Sequence, residues 1–501
     1  MTGEIIVHSI RPALAVLISL IVSVLILATG SRHKNLREFW SIIAATSKFA
    51  IVISLMPIIL SGKVVEYSPK LMALSPAISI VFRVDALGQF YASLSSGLWI
   101  LTTIYSIGYM RNLEEHNQTR YFFAFAVCVA ATVGIAYSGN LFTLFIFYEL
   151  LSIGAYPLVI HHESDEAMRA GRKYLLYVLF GGVMVLGAMT MTYVLAGTLA
   201  FGHNGILAGT ASPAFLRLLF LTFVLGFGVK SAIMPLHSWL PSAMVAPTPV
   251  SALLHAVAVV KAGVFGMTRL IYNIYGVDLM KELGLGFPLA VVASITILMA
   301  SVYALRQDNL KRRLAYSTIS QLSYIILGLA LLTPSGATGG ILHIANQAVM
   351  KITLFFTAGA IYVHTGKKNI SEMRGLGKKM PITMTAFAIA AVGMTGFPPT
   401  AGFITKWYLA IGALEAGHVI FVLVLLVSAM LNAAYFLPPV YNAFFKDPID
   451  GDSEYDEAPW MMLGPIIITT ILVLVLGAFA NLPYTPLALA HVAVREFFGL
   501  P

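Results

Sequence analysis

The stretch GFPPTAGFITKWYL, Gly396 to Leu409, interrupts what otherwise reads as a membrane-spanning helix. Pro398 and Pro399 lack the N–H groups that would bond the carbonyls of Met394 and Thr395, and an interior helix proline costs about 3 kcal/mol. In hydrocarbon, freed carbonyls must be met by protein or water, so such a break belongs in a polar cavity. Seven residues after the second proline comes Lys406. The segment from Ile382 to Ala413 is too long for a straight crossing and suits a helix broken in the middle. A similar arrangement lies upstream in GFGVKSAIMPLHSWL, Gly226 to Leu240, where Lys230 precedes Pro235 and His237 follows it. The sequence leaves open whether Pro235 kinks that helix or ends it. Pairing a break with a lysine twice resembles the interrupted helices of transporters built from inverted repeats.

The rest of the chain supports a membrane setting. Its 501 residues are 58% hydrophobic and only 11% charged, far too little charge for a soluble surface. Apolar runs long enough to cross a bilayer start near residues 10, 40, 88, 121, 140, 173, 215, 249, 286, 313, 338, 382, 417 and 460. The expected fold is therefore an all-α polytopic membrane protein of about fourteen helices, with two of them broken. The first run could be mistaken for a signal peptide, but Arg32, Lys34 and Arg37 follow it rather than precede it, so it reads as a retained helix. With the N-terminus outside, eighteen Lys and Arg fall in inside loops, eight outside and five within apolar runs. That asymmetry predicts both termini outside and explains the net charge of +9 by topology, without nucleic acid. The loop from Lys446 to Pro459 departs from the pattern by being acidic. The lone Cys128 excludes a disulfide, a thiolate metal cluster and a Cys-ligated iron–sulfur centre, and no phosphate-binding loop is present. Neither a cofactor nor a metal is implied. Residues 62–87 read as short strands on the outer face.

The five lysines in apolar runs are Lys48, Lys230, Lys261, Lys351 and Lys406. Lys48 has no evident partner, and snorkelling and a helix contact fit it equally. Each mid-bilayer lysine costs roughly 2.5–3.5 kcal/mol, so the other four facing lipid would cost on the order of 10–14 kcal/mol. That rivals the net stability of a domain. They must face one another, a carboxylate or water. Glu149, in LFIFYELLSIGAYPL, is the one acid deep in an apolar run. Beside a lysine it can act as a switch, since a buried amine is pushed toward neutrality by desolvation and toward charge by a carboxylate. His343, Gln347 and Lys351 share one helix face at i, i+4 and i+8, and Ser317, Ser320, Gln321 and Tyr324 form a second polar stripe. Aligned hydroxyls and amides can hold a file of water. His255 points about 120° away from Lys261 and belongs on a branch toward one surface. Structural glue between helices explains one or two such lysines more readily than four.

KSAIMPLHSWLPSAMVAPTPVSALLHAVAVVKAG, KRRLAYSTISQLSY, NQAVMKITLFFTAGAI and the opening stretch together resemble the antiporter-like subunits shared by complex I, membrane-bound hydrogenases and Mrp-type cation/proton antiporters. The likeness runs from about residue 80 to 445; length and a lysine at the second break make the chain look most like the D subunit of the Mrp type. The resemblance implies two inverted five-helix repeats at 120–273 and 286–446, preceded by a three-helix group at 1–119 and followed by 447–501. It implies that Glu149 and Lys230 form a pair, that Lys261 is a central relay with His255 before it, and that Lys351 and Lys406 continue the path. Relatives often carry a histidine where this chain has Gln347, so a protonation step there must use water or His343.

The expected function is a proton-translocating subunit of a multi-subunit complex in the cell membrane, exchanging protons for Na⁺. The alternative is the proton-pumping subunit of a hydrogenase or a quinone- or sulfur-reducing enzyme, with the redox chemistry in partner subunits. A rival of another class is a non-conducting structural subunit whose polar axis is vestigial.

Overall fold

The computed structural model describes residues 5–69, 73–75, 78–448 and 454–500, with the side chains of 73–75 and of His255 outside that description. The chain is a helical bundle. Its helices are α1 (Arg11–Thr29), α2 (Lys34–Ile53), α3 (Ala86–Asn112), α4 (Gln118–Ala136), α5 (Leu141–Val159), α6 (Asp165–Ala196) and α7 (Pro213–Lys230). A segment at 248–275 follows, whose central part is α8 (Val259–Arg269). Then come α9 (Gly286–Leu305), α10 (Leu310–Ala330), α11 (Pro334–Thr365), α12 (Pro381–Thr395), α13 (Ala401–Glu415), α14 (Val419–Phe445), α15 (Trp460–Ala478) and α16 (Pro486–Phe498). Ten described helices are long and apolar enough to cross a membrane. Leu14, Leu17, Ile21 and Val24 on α1, Leu176, Leu179, Val183 and Val194 on α6, and Leu423, Leu426 and Met430 on α14 face outward. Apolar faces of that extent need lipid rather than water.

Helix starts follow from ordinary capping chemistry. Asp85, Asn140, Ser164, Ser212, Asn309 and Thr333 each accept a backbone N–H in the first turn of the helix they precede. Asp85 also receives Arg269 through both carboxylate oxygens, at 2.5 and 2.9 Å, tying the start of α3 to the end of α8. Arg269 is thus a buried bidentate partner.

Loops alternate between two faces. On one, Ile6–His8 pairs with Val64–Tyr67, which pairs with Phe82–Val84, and bridges join Phe82 to Ser138 and Asn140 to Ala200. The strands expected at 62–87 are present there; the N-terminal strand is an addition the sequence did not announce. On the other face, Arg37 reaches Gln118 and Thr119, Arg111 holds Glu38, Arg312 approaches Glu166, and Lys378 meets Asp447. Of the acidic loop, Asp450 and Asp452 lie outside the described residues, while Glu457 accepts from the backbone of Ile382 and Thr383 at the start of α12. After α15 the chain adds α16, not foreseen from the sequence, which lies against α3 and α11 and stacks Phe497 on Tyr272 at 4.5 Å.

Both suspected breaks are real. α7 ends at Lys230, and eight non-helical residues follow before the short helix Trp239–Ser242, so Pro235 lies in a terminated segment rather than a kink. α12 ends at Thr395 and α13 restarts at Ala401, with Pro398 and Pro399 between them. α8 is flanked by two π-helical turns, Leu253–Val257 before it and Leu270–Tyr275 after it. α11 is buried along the bundle centre.

Candidate functional site

α11 carries the centre of the site. His343, Gln347 and Lys351 are all fully buried and lie on one face of it, as their spacing predicts. Lys261 on α8 donates its ammonium to Gln347 Oε1. One turn on, Lys351 donates to Ser317 Oγ and, at 3.4 Å, to the Leu314 carbonyl on α10. One turn back, His343 joins Gln321 Oε1 of α10 at 2.9 Å and Thr405 Oγ1 of α13 at 3.1 Å. Thr405 is the residue before Lys406. Gln347 Nε2 and Asn346 Oδ1 are buried without partners and keep bonding capacity for water.

Lys406 resolves the puzzle of the double proline. Its ammonium donates to the Thr395 carbonyl at 2.6 Å and the Met394 carbonyl at 3.1 Å, the two acceptors that the prolines leave unbonded. Asn432 of α14 adds a bond to Met394 at 3.3 Å. The ammonium sits 5.5 Å from the Tyr324 ring, and Tyr324 in turn stacks near His343 at 5.6 Å. Gly396 makes the geometry possible: its φ is +89°, and a Cβ there would lie 2.5 Å from Lys406 Cδ.

Lys230 is held differently. Its ammonium donates to the Tyr148 carbonyl at 2.6 Å and lies 3.3 Å from the Tyr148 ring centroid. Glu149, the next residue on α5, is half-buried, and its Oε1 has no hydrogen-bond partner. Among the described residues no ion-pair contact joins Glu149 to Lys230, although Lys230 bonds the carbonyl of the residue before Glu149. The carboxylate instead lies against Gly182 of α6, where a Cβ would come within 2.7 Å of Oε1. α8 crosses the first break at Gly263, where a Cβ would fall 2.4 Å from the Ser231 nitrogen. Among the described residues no hydrogen bond joins Lys230 to Lys261. The His255 side chain lies outside the described residues.

Other residues fall as follows. Ser320, placed in the polar stripe by spacing, turns away from the axis to Ser301 of α9 at 3.1 Å. His237 sits half-buried in the first break, its ring 6.4 Å from Tyr316 and its Nδ1 unpartnered. Lys48 is fully buried with its ammonium 4.9 Å from the Trp99 ring and no hydrogen-bond partner, so it is a helix contact rather than a snorkelling chain.

The family described as NADH:quinone oxidoreductase/Mrp antiporter, TM, matches residues 138–432, more than half of the chain. NADH-quinone oxidoreductase subunit N of Desulforudis audaxviator is 33% identical over 422 residues, covering 81% of this chain and 83% of the relative. A Na(+)/H(+) antiporter subunit of Alkalihalophilus pseudofirmus is also 33% identical, over 482 residues that cover 89% of this chain, but the match spans only 58% of the relative's length. The fold matches a chain of the Mrp complex from Dietzia sp. with a TM-score of 0.87 at 23% identity, covering 98% of both chains. An archaeal membrane-bound sulfane sulfur reductase gives the same TM-score at 24% identity, covering 98% of this chain and 99% of that one. The interrupted helices, the buried lysines between them and these likenesses lead to one conclusion: the chain belongs to the NADH:quinone oxidoreductase/Mrp antiporter transmembrane family.

Proposed function

We propose that this chain is a proton-translocating, antiporter-like subunit of a multi-subunit membrane complex. Glu149, Lys230, Lys261, Lys351 and Lys406 form its relay, with His255, His343, Gln347, His237, Ser317, Gln321 and Tyr324 in support. The observation that carries this reading is the set of polar pairs Lys261–Gln347, His343–Thr405 and Lys351–Ser317 at successive turns of one buried helix face, reaching the second break. Amines on this run are close enough to sense one another's protonation, and side-chain amide and hydroxyl groups between them offer water a place to bridge. Lys230 is poised to respond to Glu149, whose unbonded oxygen leaves it free to move.

In this reading fourteen segments cross the bilayer: the ten apolar helices and four more polar or interrupted ones, at 86–112, 248–275, 310–330 and 381–415. The blocks 120–273 and 286–446 are inverted repeats with the broken segment fourth in each. Both termini face outside the cytoplasmic membrane, because the loops joined through Arg37, Arg111, Arg312 and Lys378 carry the excess of positive charge. The partners are other membrane subunits.

Exchange of protons for Na⁺, in a D-type position of an Mrp-like complex, is the first reading, supported by the antiporter relatives and the Mrp structure. Redox-driven pumping is the second, favoured by the equally close fold of the sulfane sulfur reductase and by the complex I relative. The complex reconstituted into vesicles distinguishes them. Proton movement that requires a sodium gradient supports the first, whereas movement indifferent to Na⁺ and dependent on a reductant overturns it. If Lys261→Ala leaves proton movement intact in an assembled complex, the chain has a structural role only and the relay fails.

A further inference from the structure

Away from the relay, on the face that carries the excess of basic loops, four side chains from two loops converge. Glu115 and His116 lie between α3 and α4; His161 and His162 lie between α5 and α6. Glu115 Oε2 is 3.8 Å from His116 Nδ1, 3.7 Å from His161 Nε2 and 3.7 Å from His162 Nδ1. The donor atoms of Glu115, His116 and His161 all lie within 4.8 Å of one another. These separations are too long for hydrogen bonds. His161 is fully buried, yet neither of its ring nitrogens has a partner; the His116 backbone comes near it without hydrogen-bonding geometry. A buried polar group left unbonded is costly, and such groups in native proteins call for a ligand or an ordered water.

We propose that Glu115, His116 and His161, with His162 as the fourth donor, form a binding site for a divalent zinc-class cation that staples the two loops together. Three imidazoles and one carboxylate are the donor set that Zn²⁺ and its borderline neighbours favour over Mg²⁺ or Ca²⁺. In a tetrahedral zinc site with bonds of about 2.0–2.2 Å the donors sit about 3.3 Å apart. Glu115 Oε2 therefore needs to close on each imidazole by about half an ångström, and the imidazole donors on one another by up to about 1.5 Å or more, through side-chain rotation. Burial, helped by the neighbouring histidines and Arg120, pushes His161 down to about 3, and burial with the charge of Lys311 lowers His162. Arg120, Lys311 and Lys368 lie nearby, and Arg120 is already engaged, bonding Glu163 and the His161 carbonyl. Lys311, held by the Ala246 carbonyl at 2.5 Å, opposes a cation but only from beyond the donor set.

The site would act on a neighbouring cavity. His162 also lines a cavity of about 510 Å³ together with Tyr109, Thr248, Lys311 and Lys368. A cation fixing His162 would hold one wall of that cavity.

The test uses the purified full chain in detergent, stripped with a chelator and titrated with ZnCl₂ by calorimetry against a competing chelator. One zinc per chain is expected, with His161→Ala weakening binding at least ~100-fold and His418→Ala, on the opposite face, leaving it unchanged. Co²⁺ in place of Zn²⁺ is expected to give the intense visible bands of tetrahedral coordination, lost in Glu115→Gln. Glu115→Gln keeps the shape of the site, so it decides the question if the histidine variant fails to fold. The proposal is overturned if the wild-type chain takes up no zinc at micromolar concentrations, or if Glu115→Gln and His161→Ala both bind it as tightly as wild type.

Discussion

The two breaks use one physical device in opposite directions. In each, a lysine ammonium at a helix interruption is held by backbone carbonyls, and at the second these are the unpaired carbonyls of a helix C-terminus, where the dipole favours a cation. At the first break Lys230 is itself the last residue of α7, and its ammonium leaves that helix for a carbonyl of α5 next to Glu149. At the second, Lys406 belongs to the following segment and reaches back to the carbonyls that its own break exposed. Lys230 is therefore tied to a neighbouring helix bearing an acid, while Lys406 is tied to its own interruption. The first arrangement is responsive and the second is fixed.

The largest expected effect comes from attacking the responsive end. Lys230→Ala should reduce proton movement in reconstituted vesicles to background while the complex still assembles. Lys230→Arg should do the same, because a guanidinium keeps its charge where an amine can give it up. Lys406→Arg should retain a measurable fraction of transport, since there the cation chiefly satisfies carbonyls; equal loss at both positions would erase the distinction. Next, Lys406→Met should lower stability by about 1–3 kcal/mol through the orphaned Met394 and Thr395 carbonyls, read as a fall in melting temperature of the purified chain. Gly396→Ala should cost about 1–2 kcal/mol from its left-handed backbone alone, with a further penalty from the Lys406 contact, and should perturb the second break without touching the first. The smallest effect belongs to Gly182→Ala. A methyl group there crowds Glu149 Oε1 and should shift transport a few-fold with normal assembly; an unchanged rate would mean that the carboxylate position does not control Lys230.

What could be read from the chain follows from which constraints are local. Pro398 and Pro399 announced the second break because a missing N–H is a covalent fact, and even the two carbonyls needing a partner could be named. The His343, Gln347 and Lys351 face followed from helix periodicity. Ser320 shared a stripe with Ser317 by the same rule, yet it faces α9, because a stripe wide enough to hold both spans two neighbours. Lys230 was expected against a carboxylate, but a backbone carbonyl is its partner; every residue has one, so spacing carries no signal for that choice. The Glu115 and His161 cluster was invisible for a related reason: its members sit more than forty positions apart on loops, and only the doublet His161–His162 hinted at it. Lys48 needed Trp99 on another helix to explain it.

The two wide turns bracketing α8 have a mechanical meaning. A π-helical turn holds one residue more than the regular winding and can migrate along a helix by passing that surplus on. If the surplus before α8 moved past Lys261, the lysine would swing about 100° around the axis, away from Gln347. Because a second such turn follows α8, the swing need not propagate to Arg269 and its anchor at Asp85. The segment is thus built like an axle between two loose bearings, able to turn one cog while both ends of the shaft stay bolted.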